Sequence, residues 1–92
     1  MQIIKLYFIL FYNYNIIVKT IQIIFVFYDE NARVILDAEH SVNEDRFIII
    51  GISNKLKLLI VVHTYRENDE VIRIISARKA TKSESKYYKE IN

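Results

Sequence analysis

The chain has 92 residues and a formal net charge of +2, and this length predicts one domain with a small core. Hydrophobic residues make up 52% of the sequence, which excludes a disordered tail. The chain has no cysteine, so it cannot be a disulfide scaffold or a thiol enzyme. With one glycine and no proline, it cannot contain a glycine-rich phosphate loop. Since His40 and His63 are the two histidines, we expect no metal site and no cofactor.

Positive charge is concentrated near the C-terminus. Residues 71–92 contain six lysines and arginines against two glutamates, a net charge of +4. Such a basic segment is typical of proteins that bind phosphate groups or an acidic partner. The alternative is a solvated helix face, and charge alone does not separate the two.

Residues 1–28 are rich in Ile, Phe and Tyr. Polar residues interrupt this run at Asn13, Asn15, Lys19 and Gln22, whereas a membrane span needs about 20 predominantly apolar residues. The segment also lacks the small-residue cleavage site of a secretory signal. We therefore expect no membrane association, and the aromatic and β-branched residues favour strands.

Four later segments have the composition of β-strands. A short candidate spans Arg33–Leu36, and longer apolar runs cover residues 46–53, 55–66 and 71–78. Asn54-Lys55 and residues 67–70 separate the longer runs and are typical of hairpin turns. The sequence therefore predicts a small antiparallel sheet of three to four strands.

The two turns also predict the register of the hairpins. The later turn places Thr64 opposite Arg73, and the earlier turn places Phe47 opposite Val62. Both faces of the sheet are apolar at the centre, so each needs a covering layer. The first face is predicted to carry Phe47, Ile49, Leu58, Ile60, Val62, Ile75 and Ala77, with Thr64, Arg66 and Arg73 at one end. The second face is predicted to carry Ile48, Ile50, Leu59, Val61, Ile72 and Ile74, with Arg46, His63 and Tyr65 at the same end.

The last segment, Ala80–Ile91, is predicted to be helical. Thr81 and Glu84 have the spacing of a capping box, in which each side chain accepts a hydrogen bond from the other residue's backbone N–H. The expected apolar contacts of this helix are Tyr87, Tyr88 and Ile91. With the sheet, it gives an α+β fold in a single domain.

Several short motifs occur in one order between residues 44 and 88. They are EDRF at 44–47, IG at 50–51, LIVV at 59–62 followed by Thr64 and Arg66, and IRIISARKAT at 72–81 followed by Glu84 and Tyr88. The last run is the most specific signal in the chain. With these motifs, residues 26–90 resemble the BrnT family of type II toxins, and we divide the single domain 1–92 into a BrnT-like region, 26–92, and an atypical segment, 1–25.

The resemblance implies a RelE-like α+β fold and a small cytoplasmic ribonuclease that stops translation. It implies neutralisation by a BrnA-type antitoxin in a tight complex. It also implies contact with DNA only indirectly, through the DNA-binding domain of the antitoxin.

The first 25 residues depart from the family pattern. Family members begin with a Trp-Asp start, a Lys-His-Gly motif and a Phe-Glu-Glu-Ala helix, and this chain has no tryptophan. We interpret the segment as the product of a frameshifted or mis-started reading frame, so that this copy lacks an active-site histidine and part of its core. The upstream nucleotide sequence tests this hypothesis.

RNA cleavage without a metal needs a base, an acid and cations that stabilise the phosphorane. Arginine is suited to the last role because it stays protonated and binds phosphate through two N–H groups. Arg66 and Arg73 lie near Thr64 on one predicted face and are the first candidates for a phosphate clamp. The alternative for each is a structural salt bridge with Glu44, Glu67 or Glu70.

No residue is an obvious general base. Glu44 is a candidate for the base or for orienting an arginine. His63 has a suitable reference pKa, although a histidine within an apolar strand is more often structural. The remaining candidates for RNA binding are Arg46, Thr64, Arg78, Lys79 and Lys82.

Two alternatives to an active ribonuclease stay open. One is a degenerate toxin that survives only as a partner of the antitoxin. The other is a non-catalytic module that binds nucleic acid through its phosphates.

Overall fold

The computed structural model describes residues 5–8, 14–66, 68 and 71–91. The elements in chain order are β1 (Lys5–Phe8), α1 (Tyr14–Tyr28), β2 (Arg33–Leu36), a short 3-10 helix (Ala38–His40), β3 (Phe47–Ile52), β4 (Leu58–Arg66), β5 (Val71–Lys79) and α2 (Lys82–Ile91).

These strands form a five-stranded sheet in the order β1-β5-β4-β3-β2. Strands β2 to β5 are antiparallel neighbours, and β1 adds to the edge in parallel with β5. Helices α1 and α2 complete the fold. The predicted α+β class, with an antiparallel sheet and a C-terminal helix, is confirmed.

The strand preference of the N-terminal segment is wrong for Tyr14–Tyr28, which form α1. Ile23 and Val26 are spaced three residues apart, and both are buried against the sheet. Phe27 packs on the same cluster. Burial of one helical stripe outweighs the β-propensity of the individual residues.

No helix in the described part of the chain is long and apolar enough to cross a membrane. Helix α1, the longer of the two, contains 15 residues.

The two faces of the sheet carry separate apolar clusters. Helix α1 covers the first, which we call the α1 face. Its buried residues are Ile23, Val26, Ile49, Leu59, Val61, Ile72 and Ile74. Helix α2 covers part of the other, the α2 face, where Tyr88 is buried against Ile50 and Ile60.

The predicted register is confirmed for one hairpin and wrong for the other. Thr64 pairs with Arg73 as expected, although Glu67, Asp69 and Glu70 of that turn lie outside the described residues. Phe47 pairs with His63 rather than with Val62. The connection between β3 and β4 is a five-residue turn, Ser53–Lys57, closed by a 2.9 Å bond from the Ser53 N–H to the Lys57 carbonyl.

This shift moves the side chains of β3 to the opposite faces from those predicted. Phe47 and Ile49 lie on the α1 face with Leu59 and Val61, because the side chains of a strand alternate. Strand β5 contains a further irregularity, a bulge opposite Val62 and His63. It leaves Ile75 unpaired and places Ala77 on the α1 face, not on the predicted one.

Gly51 lies where the end of α1 approaches β3 most closely. A Cβ atom at this position would lie 3.0 Å from both the Val26 Cγ1 and the Val26 carbonyl oxygen, and 3.3 Å from the Ala32 Cβ. Because one of these neighbours is backbone, rotation of a side chain cannot relieve all the contacts. The glycine is therefore needed for close packing of α1 on the sheet.

We expect Gly51→Ala to lower the free energy of unfolding by about 1–3 kcal/mol, since the added methyl group overpacks this contact. Urea denaturation followed by circular dichroism measures the change. Lys55→Ala, on the exposed part of the neighbouring turn, is the control and should have little effect. Equal stability of the Gly51→Ala variant and the unmodified protein would contradict this packing argument.

The Asp29 carboxylate joins three elements of the fold. Its Oδ2 accepts hydrogen bonds from the Ile52 N–H (2.8 Å) and the Tyr88 hydroxyl (2.7 Å), and its Oδ1 accepts one from the Asn31 N–H (2.9 Å). Burial raises the pKa of Asp29, but these bonds outweigh that effect and hold the pKa below its ordinary value. Burial and the bond to Asp29 raise the pKa of Tyr88 to about 12.

We expect Tyr88→Phe to destabilise the protein by about 1–2 kcal/mol, because it removes a donor from a partly buried carboxylate. Tyr87→Phe is a matched control, since Tyr87 is adjacent in sequence and exposed. Chemical denaturation of both variants provides the comparison. If the two substitutions cost the same, the Asp29 contact contributes nothing specific.

Candidate nucleic-acid interface

The open end of the α2 face carries the predicted arginine pair. Ile60, Thr64 and Arg66 alternate along β4 and share this face, and Arg73 joins them as the cross-strand partner of Thr64. Helix α2 contacts the sheet at the other end, near the turn between β3 and β4, where Leu58 and Ile52 belong to its cluster. The arginine end of the face is therefore left uncovered by α2.

Glu44 lies between the two arginines. Its Oε2 is 2.8 Å from the Arg66 Nη2, and its Oε1 is 3.9 Å from the Arg73 Nη1. The three side chains are about equally accessible, with 36–45% of each exposed. The structure thus brings together Arg66, Arg73 and Glu44, three of the four residues predicted to be catalytic.

The Thr64 hydroxyl lies at the base of this group. Thr64 is 1% exposed, and its Oγ1 has no hydrogen-bond partner within the described residues. A buried hydroxyl without a partner is uncommon in folded proteins and is often found at functional positions. Thr64 therefore forms a buried floor between the strands that carry the two arginines.

The loop that carries Glu44 is anchored at its base. The Asp37 N–H donates to the Arg46 carbonyl (2.7 Å), and the Ser41 hydroxyl donates to the Asp37 carbonyl (2.6 Å). The Arg46 N–H in turn donates to the Ser41 hydroxyl (2.9 Å). Val42, near the tip, is 86% exposed. The base of the loop is therefore fixed, while its tip has little apolar packing.

Ser41 was not predicted as part of the site, although it organises the loop that presents Glu44. Its hydroxyl joins Asp37 and Arg46 at the two ends of the loop. No spacing rule identifies this arrangement, because it depends on the closed loop itself.

Arg46, the next predicted RNA-binding residue, lies beside the same loop. Together with Glu44 and residues of the loop it lines a shallow depression of about 280 Å³. Arg46 immediately precedes β3, two residues after Glu44. Arg46 thus extends the positive charge of the site toward the edge of the sheet.

Arg78 is engaged in a different interaction. Its guanidinium binds the Glu84 carboxylate through two bonds of 2.8 and 2.9 Å. Glu84 also accepts the Thr81 N–H, and the Thr81 hydroxyl accepts the Glu84 N–H, so the predicted capping box is confirmed. The bonds from Arg78 and Thr81 lower the pKa of Glu84 to about 2.

Lys79 and Lys82 are exposed at the junction of β5 and α2. Lys82 shares a surface of α2 with Lys86 and Lys89. These lysines are accessible to a polyanion, but they do not contact the ion-pair group around Glu44.

His63 is not brought to the arginines. It lies on the α1 face, fully buried, with its ring centroid 4.9 Å from Phe27, 6.1 Å from Phe47 and 5.1 Å from Tyr65. Its Nε2 is 3.2 Å from the Tyr65 hydroxyl and its Nδ1 is 3.4 Å from the Val61 carbonyl. Burial lowers its pKa below the ordinary value. These contacts are those of a structural histidine.

In the described part of the chain, no three His, Asp or Glu side chains are grouped in a way that could hold a metal ion. Among the described residues, the open end of the α2 face brings together two guanidinium groups, one carboxylate and one buried hydroxyl.

These observations define a class of protein, a small α+β domain with a pair of arginines at one end of an antiparallel sheet. Residues 18–84 match the family described as "Ribonuclease toxin, BrnT, of type II toxin-antitoxin system". The match covers well over half of the chain, and the chain belongs to the BrnT family. A search of curated proteins returned no match.

The family match begins within α1, eight residues before residue 26, where the motifs placed the start of the resemblance. It includes all the residues of the arginine group and the capping box. The resemblance recognised from the motifs is confirmed at the level of the family.

We expect acid to destabilise the protein through His63. Because burial lowers the folded-state pKa, the unfolded chain binds a proton at a higher pH than the folded chain does. The stabilisation is therefore complete above about pH 6.5 and is lost as the pH falls from there toward the folded-state pKa.

Urea unfolding of wild type and His63→Gln at about pH 7.5 and about pH 5 tests this expectation. The stability of wild type should be lower at about pH 5 than at about pH 7.5, and His63→Gln should flatten this dependence. If His63→Gln fails to fold, NMR titration of the wild-type ring provides the test, and a His63 pKa at or above about 6.5 would refute the expectation.

Proposed function

We propose that this protein is a ribonuclease toxin that cleaves RNA at the open end of the α2 face. The observation that carries the proposal is the convergence of Arg66 and Arg73 on one anionic group, the carboxylate of Glu44. A site that binds one carboxylate through two guanidinium groups has the charge and the donors to bind a phosphodiester in the same place. Membership of the BrnT family supports RNA as the target.

In the proposed reaction, the ribose 2′-hydroxyl loses its proton to solvent and its oxygen attacks phosphorus, and Arg66 and Arg73 stabilise the charge that develops on the phosphorane oxygens. The P–O5′ bond then breaks, the departing 5′-oxygen takes a proton from solvent, and a 2′,3′-cyclic phosphate is left. Fixed cationic donors of this kind contribute to rate because they need no rearrangement during the reaction. Thr64 pairs with Arg73 across the strands, and its buried side chain forms the floor of the proposed site. Glu44 is the acidic group in this set and pairs with the two guanidinium groups before RNA binds.

Arg46, Lys79 and Lys82 are proposed to bind the flanking phosphates. Arg78 is also proposed to bind a flanking phosphate. In addition it contributes to stability, since its guanidinium joins β5 to α2 through Glu84. Contacts of lysine and arginine with flanking phosphates set affinity and its dependence on salt, not the rate of the chemical step.

The proposed partner in the cell is an antitoxin of the BrnA type that masks the toxin. We propose that DNA is contacted only through that antitoxin and that the toxin acts in the cytoplasm. Expression of the chain alone should arrest growth, and co-expression with the antitoxin encoded beside it should restore growth.

One observation favours a second candidate, a protein that binds nucleic acid or antitoxin without cleaving RNA. Within the described residues, His63 is buried on the opposite face and Glu44 is already paired with both arginines. Salt-dependent binding of RNA without product, together with harmless expression, would support this candidate.

We expect Arg66→Ala and Arg73→Ala each to reduce RNA cleavage by about 10²–10³-fold, because each removes a cation from the transition state. Arg66→Lys and Arg73→Lys should also lose much activity, since lysine keeps the charge but not the paired N–H groups. Initial rates on a labelled transcript measure the effect.

Lys55→Ala is the control, because Lys55 is an exposed cation on the turn at the opposite end of the sheet. Circular dichroism verifies that each variant is folded. Cleavage at the wild-type rate by both alanine variants would remove the arginines from the mechanism.

A further inference from the structure

Glu44 contacts the guanidinium groups that are proposed to bind the phosphate of the ligand. Both arginines are engaged by one carboxylate of the same chain. A phosphate group bound by the same guanidinium groups would occupy the space of this carboxylate. The two anions would repel each other and compete for the N–H groups that now face Glu44.

We propose that Glu44 is an internal competitor that occupies the phosphate position of the arginine pair and is displaced when a nucleic-acid backbone binds. This inference rests on the proposed site and concerns its regulation.

The loop described above is suited to such a displacement. Its base is fixed by the hydrogen bonds around Ser41, so Glu44 stays close to the arginines after it is displaced. Near the tip, Val42 and Asn43 are exposed, and movement of Glu44 there would disrupt little packing. The loop therefore permits exchange of the carboxylate for another anion.

The strength of the contact is suited to exchange as well. Glu44 and Arg66 are each more than a third exposed, and the second contact, to Arg73, is 3.9 Å long. Exposed ion pairs of this kind stabilise a protein only weakly and are screened by salt. A polyanion that also contacts the neighbouring basic residues can therefore displace the carboxylate.

The test is the affinity of the full chain for a short fluorescein-labelled oligothymidylate, followed by fluorescence anisotropy at low salt. This probe carries the phosphates but no 2′-hydroxyl, so it cannot be cleaved by the proposed reaction. We expect Glu44→Gln to bind it about three- to tenfold more tightly than wild type, because the ligand no longer displaces a charged competitor.

Asp45→Asn is the matched control. It removes one negative charge from the adjacent exposed position, so it reports the general electrostatic effect of the loop. We expect it to tighten binding by less than Glu44→Gln.

A double-mutant cycle with Arg66→Ala and Arg73→Ala completes the test. In the variant that lacks both arginines, Glu44→Gln should have no more effect than Asp45→Asn, because the competitor acts only through those two side chains. The proposal is overturned if Glu44→Gln binds no more tightly than Asp45→Asn, if its effect persists without the arginines, or if wild type and Glu44→Gln both fail to bind.

Failure of this inference is distinguishable from failure of the proposed function. If the binding cycle behaves as expected and RNA stays intact, the internal competitor is supported and the ribonuclease assignment fails. If RNA is cleaved and the cycle shows no coupling, the ribonuclease is supported and the competitor is rejected.

Discussion

The arrangement of the two helices on the sheet depends on the hydrogen bonds of the Asp29 carboxylate. Asp29 follows the last residue of α1, accepts the N–H at the end of β3 and accepts the hydroxyl of Tyr88 from α2. The two helices pack on opposite faces of the sheet, so few other contacts connect them. By joining both to the same point of β3, Asp29 fixes α2 at one end of its face, and α2 does not cover the other end.

Alternation along β4 then determines which side chains meet. Thr64 and Arg66 project toward the uncovered end, while His63 and Tyr65 project into the aromatic cluster on the opposite side. One strand thus supplies both a polar site and part of the core. Because the two faces are separate, His63, whose reference pKa best suits acid–base catalysis, is buried in the core and not exposed at the site.

The features that depend on residues close together in the sequence could be predicted. The capping box at Thr81 and Glu84 and the pairing of Thr64 with Arg73 depend on short-range spacing, and both are confirmed. The family could be recognised because its motifs lie between residues 44 and 88, outside the atypical first 25 residues.

The errors occurred where a longer-range contact decides the outcome. Residues 14–28 form a helix because Ile23 and Val26 meet the sheet, and no propensity scale contains that contact. The β3–β4 register depends on a five-residue turn in which Leu56 adopts a positive φ of 58°, a conformation that leucine seldom favours. The pairing of Glu44 with Arg66 depends on a closed loop held by Ser41, which has no signature in the sequence.

The unpaired residue Ile75 changes the face of the sheet from which the following side chains of β5 project. Arg73 and Arg78 are an odd number of positions apart, so in a regular strand they would project from opposite sides of the sheet. The extra residue changes this count, and Arg73 opposite Thr64 and Arg78 opposite Ile60 both project from the same side. A single inserted residue thus places both arginines of β5 on the α2 face.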